Sequence, residues 1–218
     1  MLDIIYHDVV QRSDEWRKIR NGQITASRLN DLVPLKKGGY SSAGVNYLRS
    51  LAASGLYGYD VVKSEYASYN ALEWGNANEP RAREACSDWF FQEVQEVGCF
   101  EINGLIVSPD GAVSVNIDDE TIITVPIEIK CPYSEVRHFN NIINNTVPDE
   151  YVLQVQAQIM AYNAPYGYFV SYDPRATFKP LHVLRVDACP TTQEAIMQYV
   201  ADGYKYMNDI LLLVELNS

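Results

Sequence analysis

The sequence predicts an α/β protein, a mixed central sheet flanked by helices on both sides. Three observations predict it. Ile123, Val125, Ile127 and Ile129 alternate as a strand with one apolar face does. Segments of helical period lie before that strand, at 41–56 and 70–91, and after it, at 134–144, 147–163 and 191–215. Two further apolar runs, 166–172 and 181–187, have strand length and pair with each other.

In chain order, Ser13 N-caps a short helix through Arg20, with Asp14 and Glu15 in its first turn. Gly22 ends it, and Ile24-Thr25-Ala26-Ser27 leads into a second short helix through Leu32. Arg17, Lys18 and Arg20 form a basic cluster near the Thr25 and Ser27 hydroxyls, a combination suited to phosphate or to a solvated helix face. A basic loop occupies 34–40, and the tyrosine-rich stretch 57–69 reads as irregular. In the 70–91 helix, Leu72, Ala82, Ala85, Trp89 and Phe90 face inward. Pro80 is expected to start or kink a turn there, which places Glu79 at a special backbone position, as a helix-start acid or a third acid of a metal site. Strands follow at 93–106, 112–117 and 121–131, and Pro126 predicts an edge or a bulge in the last. The helix opened by Val147-Pro148-Asp149-Glu150 buries Val152, Val155, Ile159 and Tyr162. It also carries Gln154, Gln156 and Gln158, among which periodicity does not choose.

At 218 residues and 47% hydrophobic, the chain reads as a single domain over 1–218. No apolar run approaches ~18 residues, so no membrane span is expected. The N-terminus carries acids where a signal peptide carries bases. Cys86, Cys99, Cys131 and Cys189 lack metal or disulfide spacing and read as reduced thiols, which predicts a cytoplasmic protein. The net charge of −11 argues against a non-specific nucleic-acid coat. It leaves room for a nuclease whose metal ions neutralise clustered carboxylates.

Ser108-Pro109-Asp110-Gly111 and Ile127-Glu128-Ile129-Lys130-Cys131-Pro132 carry the chemistry. Alternation turns Glu128 and Lys130 to the face opposite Ile127 and Ile129, roughly 7 Å apart. A turn at Asp118-Asp119-Glu120 folds the two segments together and brings Asp110 near Glu128. Like charges about 4 Å apart repel by ~4 kcal/mol at an effective dielectric near 20. Mg²⁺ or Mn²⁺ would convert that repulsion into binding and stabilise a scissile phosphate, while the lysine orients or deprotonates a water.

Six pieces in order resemble the phage lambda exonuclease family of the PD-(D/E)xK nuclease superfamily: Glu15-Trp16-x-x-x-Arg20-x-Gly22-x-Ile24-Thr25-Ala26-Ser27; Trp74-Gly75-x-x-x-Glu79; Ser108-Pro109-Asp110-Gly111; Glu128-Ile129-Lys130-Cys131-Pro132; Gln154-Val155-Gln156; and Tyr172-Asp173-Pro174-Arg175. The resemblance implies a restriction-endonuclease-like core. It implies Asp110, Glu128 and the Ile129 carbonyl as ligands of Mg²⁺ or Mn²⁺ (two ions), Glu79 as an additional acid, and Lys130 at the attacking water. Gln156 maps onto the glutamine that holds the site, with Gln158-x-x-x-Tyr162 as a competing register. Arg20, Ser27 and Ser108 map onto a pocket for the 5′-phosphate. The implied activity is 5′→3′ digestion of one strand of linear duplex DNA, leaving 3′ single strands for recombination. The implied assembly is a ring-shaped homotrimer with a phage single-strand annealing protein as partner. Two other readings are an endonuclease of the same superfamily and a catalytically inactive DNA-binding or assembly protein. The intact Asp110, Glu128 and Lys130 set argues against the inactive one.

Overall fold

A computed structural model of the chain describes residues 2–58, 69–118 and 120–217. The elements are β1 (Ile4–His7), α1 (Asp14–Arg20), β2 (Ile24–Thr25), a 3-10 helix (Ala26–Leu32), α2 (Ser42–Tyr57), α3 (Tyr69–Phe90), β3 (Cys99–Ile102), β4 (Leu105–Val107), β5 (Gly111–Asn116), β6 (Ile122–Lys130), α4 (Glu135–Asn144), α5 (Asp149–Ala161), β7 (Tyr166–Tyr172), β8 (Leu181–Asp187) and α6 (Pro190–Leu216). They divide into two compact units, each with its own four-stranded sheet. The first unit takes the N-terminal part through α2, then Gly98–Ser108 and Cys189–Ser218. The second takes α3 through Val97 and Pro109–Ala188. Most of the tyrosine-rich stretch expected to be irregular, and Asp119 of the predicted turn, lie outside the described residues.

In the first unit the sheet runs in the order β1-β3-β4-β2. Residues 93–106, expected as one strand, form an isolated bridge at Gln95 followed by the β3–β4 hairpin. The reason is the Asn103-Gly104 pair. Both residues take positive φ (46° and 86°), the conformation that a two-residue hairpin turn matched to strand twist requires. Ser13 caps α1 by accepting from the Trp16 N–H at 3.2 Å, and Ser41 caps α2 by accepting from Gly44. The core joins Leu29 and Leu32 of the 3-10 helix, Leu48 and Leu51 of α2, and Ile196, Val200 and Met207 of α6. Gly203 lets α6 come down on this core, because a Cβ there would meet Ile24 at 2.9 Å.

In the second unit the order is β5-β6-β7-β8. β6 pairs antiparallel with β5 and parallel with β7, so the connection through α4 and α5 is the crossover that a parallel pair needs. β6 is therefore a central strand with unbroken register, and the edge or bulge expected from Pro126 is absent. Ala112, opposite Pro126, spends its N–H and C=O on Gln95, while the ladder to β7 begins only at Ile127. Neither neighbour asks Pro126 for a donor. Ile127 and Ile129 pack with Ala82 and Cys86 of α3, and Phe169 packs on the other face with Val155 and Ile159 of α5.

α3 also departs from expectation, since it runs continuously through Pro80 and leaves Glu79 mid-helix. An interior proline costs about 3 kcal/mol. Here the next turns, through buried Ala82 and Cys86, are held down on the sheet while Pro80 stays exposed. Among the described residues no helix is long and apolar enough to cross a membrane.

Candidate active site

The β5–β6 pair delivers the two predicted carboxylates to one place. The Asp110 N–H donates to the Ile127 carbonyl at 3.1 Å and so continues the ladder beyond Gly111. Its Oδ2 accepts from the Ile129 N–H at 2.7 Å. Glu128 has no solvent exposure at all. Its Oε1 pairs with Lys130 Nζ, and its Oε2 accepts from Gln158 Nε2. The Lys130 ammonium also lies over the Tyr151 ring, 4.9 Å from its centroid.

The electrostatics are those of crowded acids. Burial, then Glu128 and Glu79, push the Asp110 carboxyl well above the usual carboxylate range against the pull of Lys130 and the Ile129 N–H. Burial disfavours the Lys130 charge, but Glu128 and Asp110 outweigh it and hold the ammonium above its ordinary pKa. Glu79 pairs with Arg83 one helical turn on, at 3.1 Å. Arg83 in turn donates to the Asp110 carbonyl at 3.0 Å and ties α3 to the strand that carries the acid.

The first unit holds the predicted phosphate residues. Ser108 closes its Gly98–Ser108 segment, and its Oγ accepts from Trp16 Nε1 at 3.1 Å and Arg20 Nη1 at 3.3 Å. The Arg20 guanidinium lies 4.1 Å over the Trp16 ring. Ser27 is exposed at the start of the 3-10 helix, with its hydroxyl 3.4 Å from Thr25 Oγ1. Arg17, of the same basic cluster, pairs with Asp14 instead.

The predicted site residues, from Arg20 to Gln156, fall inside a region, 15–164, that matches the family model of the YqaJ-like viral recombinase domain. The chain belongs to the YqaJ-like viral recombinase family. Among solved structures it resembles the alkaline exonuclease LHK-Exo from Laribacter hongkongensis at 26% identity, covering 94% of this chain and 97% of that one, with a TM-score of 0.76. LHK-Exo in complex with dAMP superposes with a TM-score of 0.79 at the same identity and coverage. A phage related exonuclease from Haemophilus somnus 129PT shares the fold (TM-score 0.69, 12% identity, 88% of this chain and 96% of that one). No curated protein sequence matches.

Within this viral recombinase fold, the two glutamine registers reach different partners. Gln156 Nε2 donates to the Asp187 carbonyl at 2.8 Å, and it is Gln158 that reaches Glu128. Two positions along a helix turn a side chain by about 200°, so only one of the two can face β6. The Gln158-x-x-x-Tyr162 register carried that information. Arg83 and Arg175 are neighbours of the candidate site that the sequence does not single out for a role. Arg175 lies 4.1 Å over Trp74, pairs with Asp173 and Glu135, and donates to the Tyr133 carbonyl at 3.0 Å. It thereby fastens the chain just beyond Lys130. The Glu79/Arg83 i,i+4 spacing was a readable signal; the reach of Arg175 across 42 residues was not.

The donor set suits a hard divalent cation. Asp110, Glu128 and the Ile129 carbonyl would hold it, since Mg²⁺ is typically bound through one or two carboxylates with water and phosphate filling the remaining positions. Among the described residues no three acids, histidines or cysteines close into a cage, and Glu79 is engaged with Arg83. The geometry therefore fits a two-carboxylate site that shares its ion with substrate.

Proposed function

We propose that this chain is a Mg²⁺-dependent 5′→3′ exonuclease, with Mn²⁺ able to substitute. It would digest one strand of linear duplex DNA from a 5′-phosphorylated end and leave a 3′ single strand for recombination. The observation that carries the reading is the buried Glu128 on a central strand, bracketed by Asp110, Lys130 and Gln158. A salt bridge this deep is poor stabilisation, and its desolvation cost is understandable where chemistry uses the charges. Family membership and the similarity to the alkaline exonuclease LHK-Exo support it. So does the description of LHK-Exo in complex with dAMP, a deoxymononucleotide.

A bound divalent ion, or a pair of them, would neutralise the acids and stabilise charge on the scissile phosphate. Lys130 orients a water by hydrogen bonding, its proton held by the neighbouring acids. Gln158 fixes the Glu128 carboxylate, and the Ile129 N–H fixes that of Asp110. Glu79, through Arg83, sets the position of the Asp110 backbone. Arg20, Ser27 and Ser108 select the 5′-phosphate. A cytoplasmic ring-shaped homotrimer acting with a single-strand annealing protein completes the proposal.

The test is digestion of linear duplex with 5′-phosphate or 5′-hydroxyl ends beside a covalently closed circle, with and without Mg²⁺, and with Lys130→Ala as control. The reading expects Mg²⁺-dependent loss of the linear 5′-phosphorylated strand alone. Nicking of the circle would make the protein an endonuclease of the same superfamily. Binding without cleavage under either metal would make it an inactive relative.

A further inference from the structure

We propose that Tyr47 is a positioning residue that, through Thr25, leaves the end pocket with hydrogen-bond donors only and so selects a phosphate monoester over a hydroxyl. The inference rests on the 5′-phosphate reading above and adds two residues to that pocket. The Thr25 backbone N–H donates to the Tyr47 hydroxyl at 3.0 Å. A backbone N–H can only donate, so the phenol oxygen is an acceptor there and its hydrogen must go elsewhere. Tyr47 is only 3% exposed, which denies that hydrogen to bulk water. The acceptor in reach is Thr25 Oγ1 at 3.3 Å. Thr25 is itself buried, and having accepted from Tyr47 it turns its own hydrogen to Ser27 Oγ at 3.4 Å. The exposed Ser27 hydroxyl is then left to donate outward.

The direction of this chain is imposed from its buried end. The Tyr47 ring is held beneath Arg28, 4.4 Å from the guanidinium carbon, and Arg28 is anchored by Asp31 at 2.5 Å. Burial also raises the phenol pKa, so the donor keeps its hydrogen. A second serine is polarised independently. Ser108 Oγ accepts from Trp16 and Arg20, which fills both lone pairs and leaves only its O–H to offer. Two serine donors and a guanidinium match a phosphate dianion, which brings acceptors alone. A 5′-hydroxyl brings one oxygen and a donor of its own, and would leave pocket donors unmatched.

The experiment measures kcat and KM on linear duplexes with 5′-phosphate and 5′-hydroxyl ends for wild type, Tyr47→Phe, Ser27→Ala, their double variant, Thr25→Val and Thr25→Ser, in Mg²⁺. Thermal melts check folding. Tyr47→Phe keeps the ring and removes one oxygen. It should raise KM for the phosphorylated end about three- to tenfold, leave kcat near wild type and leave the hydroxyl end unchanged. The double variant should be no worse than Ser27→Ala, and Thr25→Ser should restore what Thr25→Val loses. Equal effects on both ends, additive loss in the double variant, or no effect of Tyr47→Phe on a wild-type preference would overturn the relay while leaving the 5′-phosphate reading intact. A wild type that cleaves both ends equally would overturn the reading and the relay with it.

Discussion

The two units solve opposite problems with charged and polar groups. In the second, a fully buried carboxylate is withdrawn beneath α5 with a half-buried ammonium beside it, and the pair is fixed by a strand ladder, a glutamine and a tyrosine ring. In the first, an arginine and two hydroxyls sit half-buried or exposed on short elements and are aimed by hydrogen bonds of 3.0–3.4 Å. Withdrawal strengthens electrostatics, as transition-state stabilisation requires, because the local dielectric is low. Accessibility lets a bulky anion enter and leave. Disruption of the second unit should therefore cost rate, and disruption of the first should cost discrimination.

The largest expected effect separates these directly. Lys130→Ala should lower kcat by about 10²–10³ while binding of duplex ends, followed by fluorescence anisotropy, stays close to wild type. Removal of divalent ions with a chelator should abolish cleavage and be reversed by Mg²⁺. Loss of end binding in Lys130→Ala would blur the division. Next comes the pair of glutamines. Gln158→Ala should cost about 10–100-fold in activity or metal affinity by freeing Glu128. Gln156→Ala should instead cost about 1–3 kcal/mol of stability, seen in urea melts, because the Asp187 carbonyl loses its donor. The reverse pattern would restore Gln156 to the site.

Arg20→Ala should reduce the preference for 5′-phosphate about tenfold or more, with kcat on hydroxyl ends unchanged. An equal loss on both ends would place Arg20 in general DNA binding. The smallest effect contrasts Cys189 of the first unit with Cys86 and Cys131 of the second. Hydrogen bonds from Thr191 and Thr192 bring Cys189 down to about 7, whereas burial pushes Cys86 and Cys131 up to about 12. The Cys189 thiolate fraction therefore rises through neutral pH. Alkylation followed by mass spectrometry should label Cys189 with a midpoint near pH 7 and leave Cys86 and Cys131 unmodified while the fold is intact.

The legible parts of the fold were those set by near neighbours. Ser13 acts as the expected cap, and 166–172 and 181–187 pair with the bounds read from apolar runs. Asp118 accepts from the Glu120 and Thr121 N–H groups at the hairpin end, as the acid-rich turn suggested. Asn103-Gly104 is equally legible as a hairpin signal, because Asn-Gly suits the positive φ values of a two-residue turn. Pro80 and Pro126 depart from their local signal for another reason. A proline's local cost is real, yet packing of Ala82 and Cys86 offsets it in one case, and a register that needs no donor removes it in the other.

What the sequence by itself determined is the inventory and its local placement. Glu128 and Lys130 share a strand face because side chains alternate, and Asp110 lies opposite them because the intervening turn folds back. The family pattern in those residues is a property of the chain alone. Only the tertiary structure decided which groups complete the sites. A buried helix presents Gln154, Gln156 and Gln158 alike, and the sheet beneath selects Gln158. Tyr47 meets Thr25 from 22 residues away, Arg83 meets Asp110 from 27 and Arg175 meets Tyr133 from 42. Such pairs are set by how helices dock on sheets, a consequence of summed packing over many residues, and no local pattern encodes it.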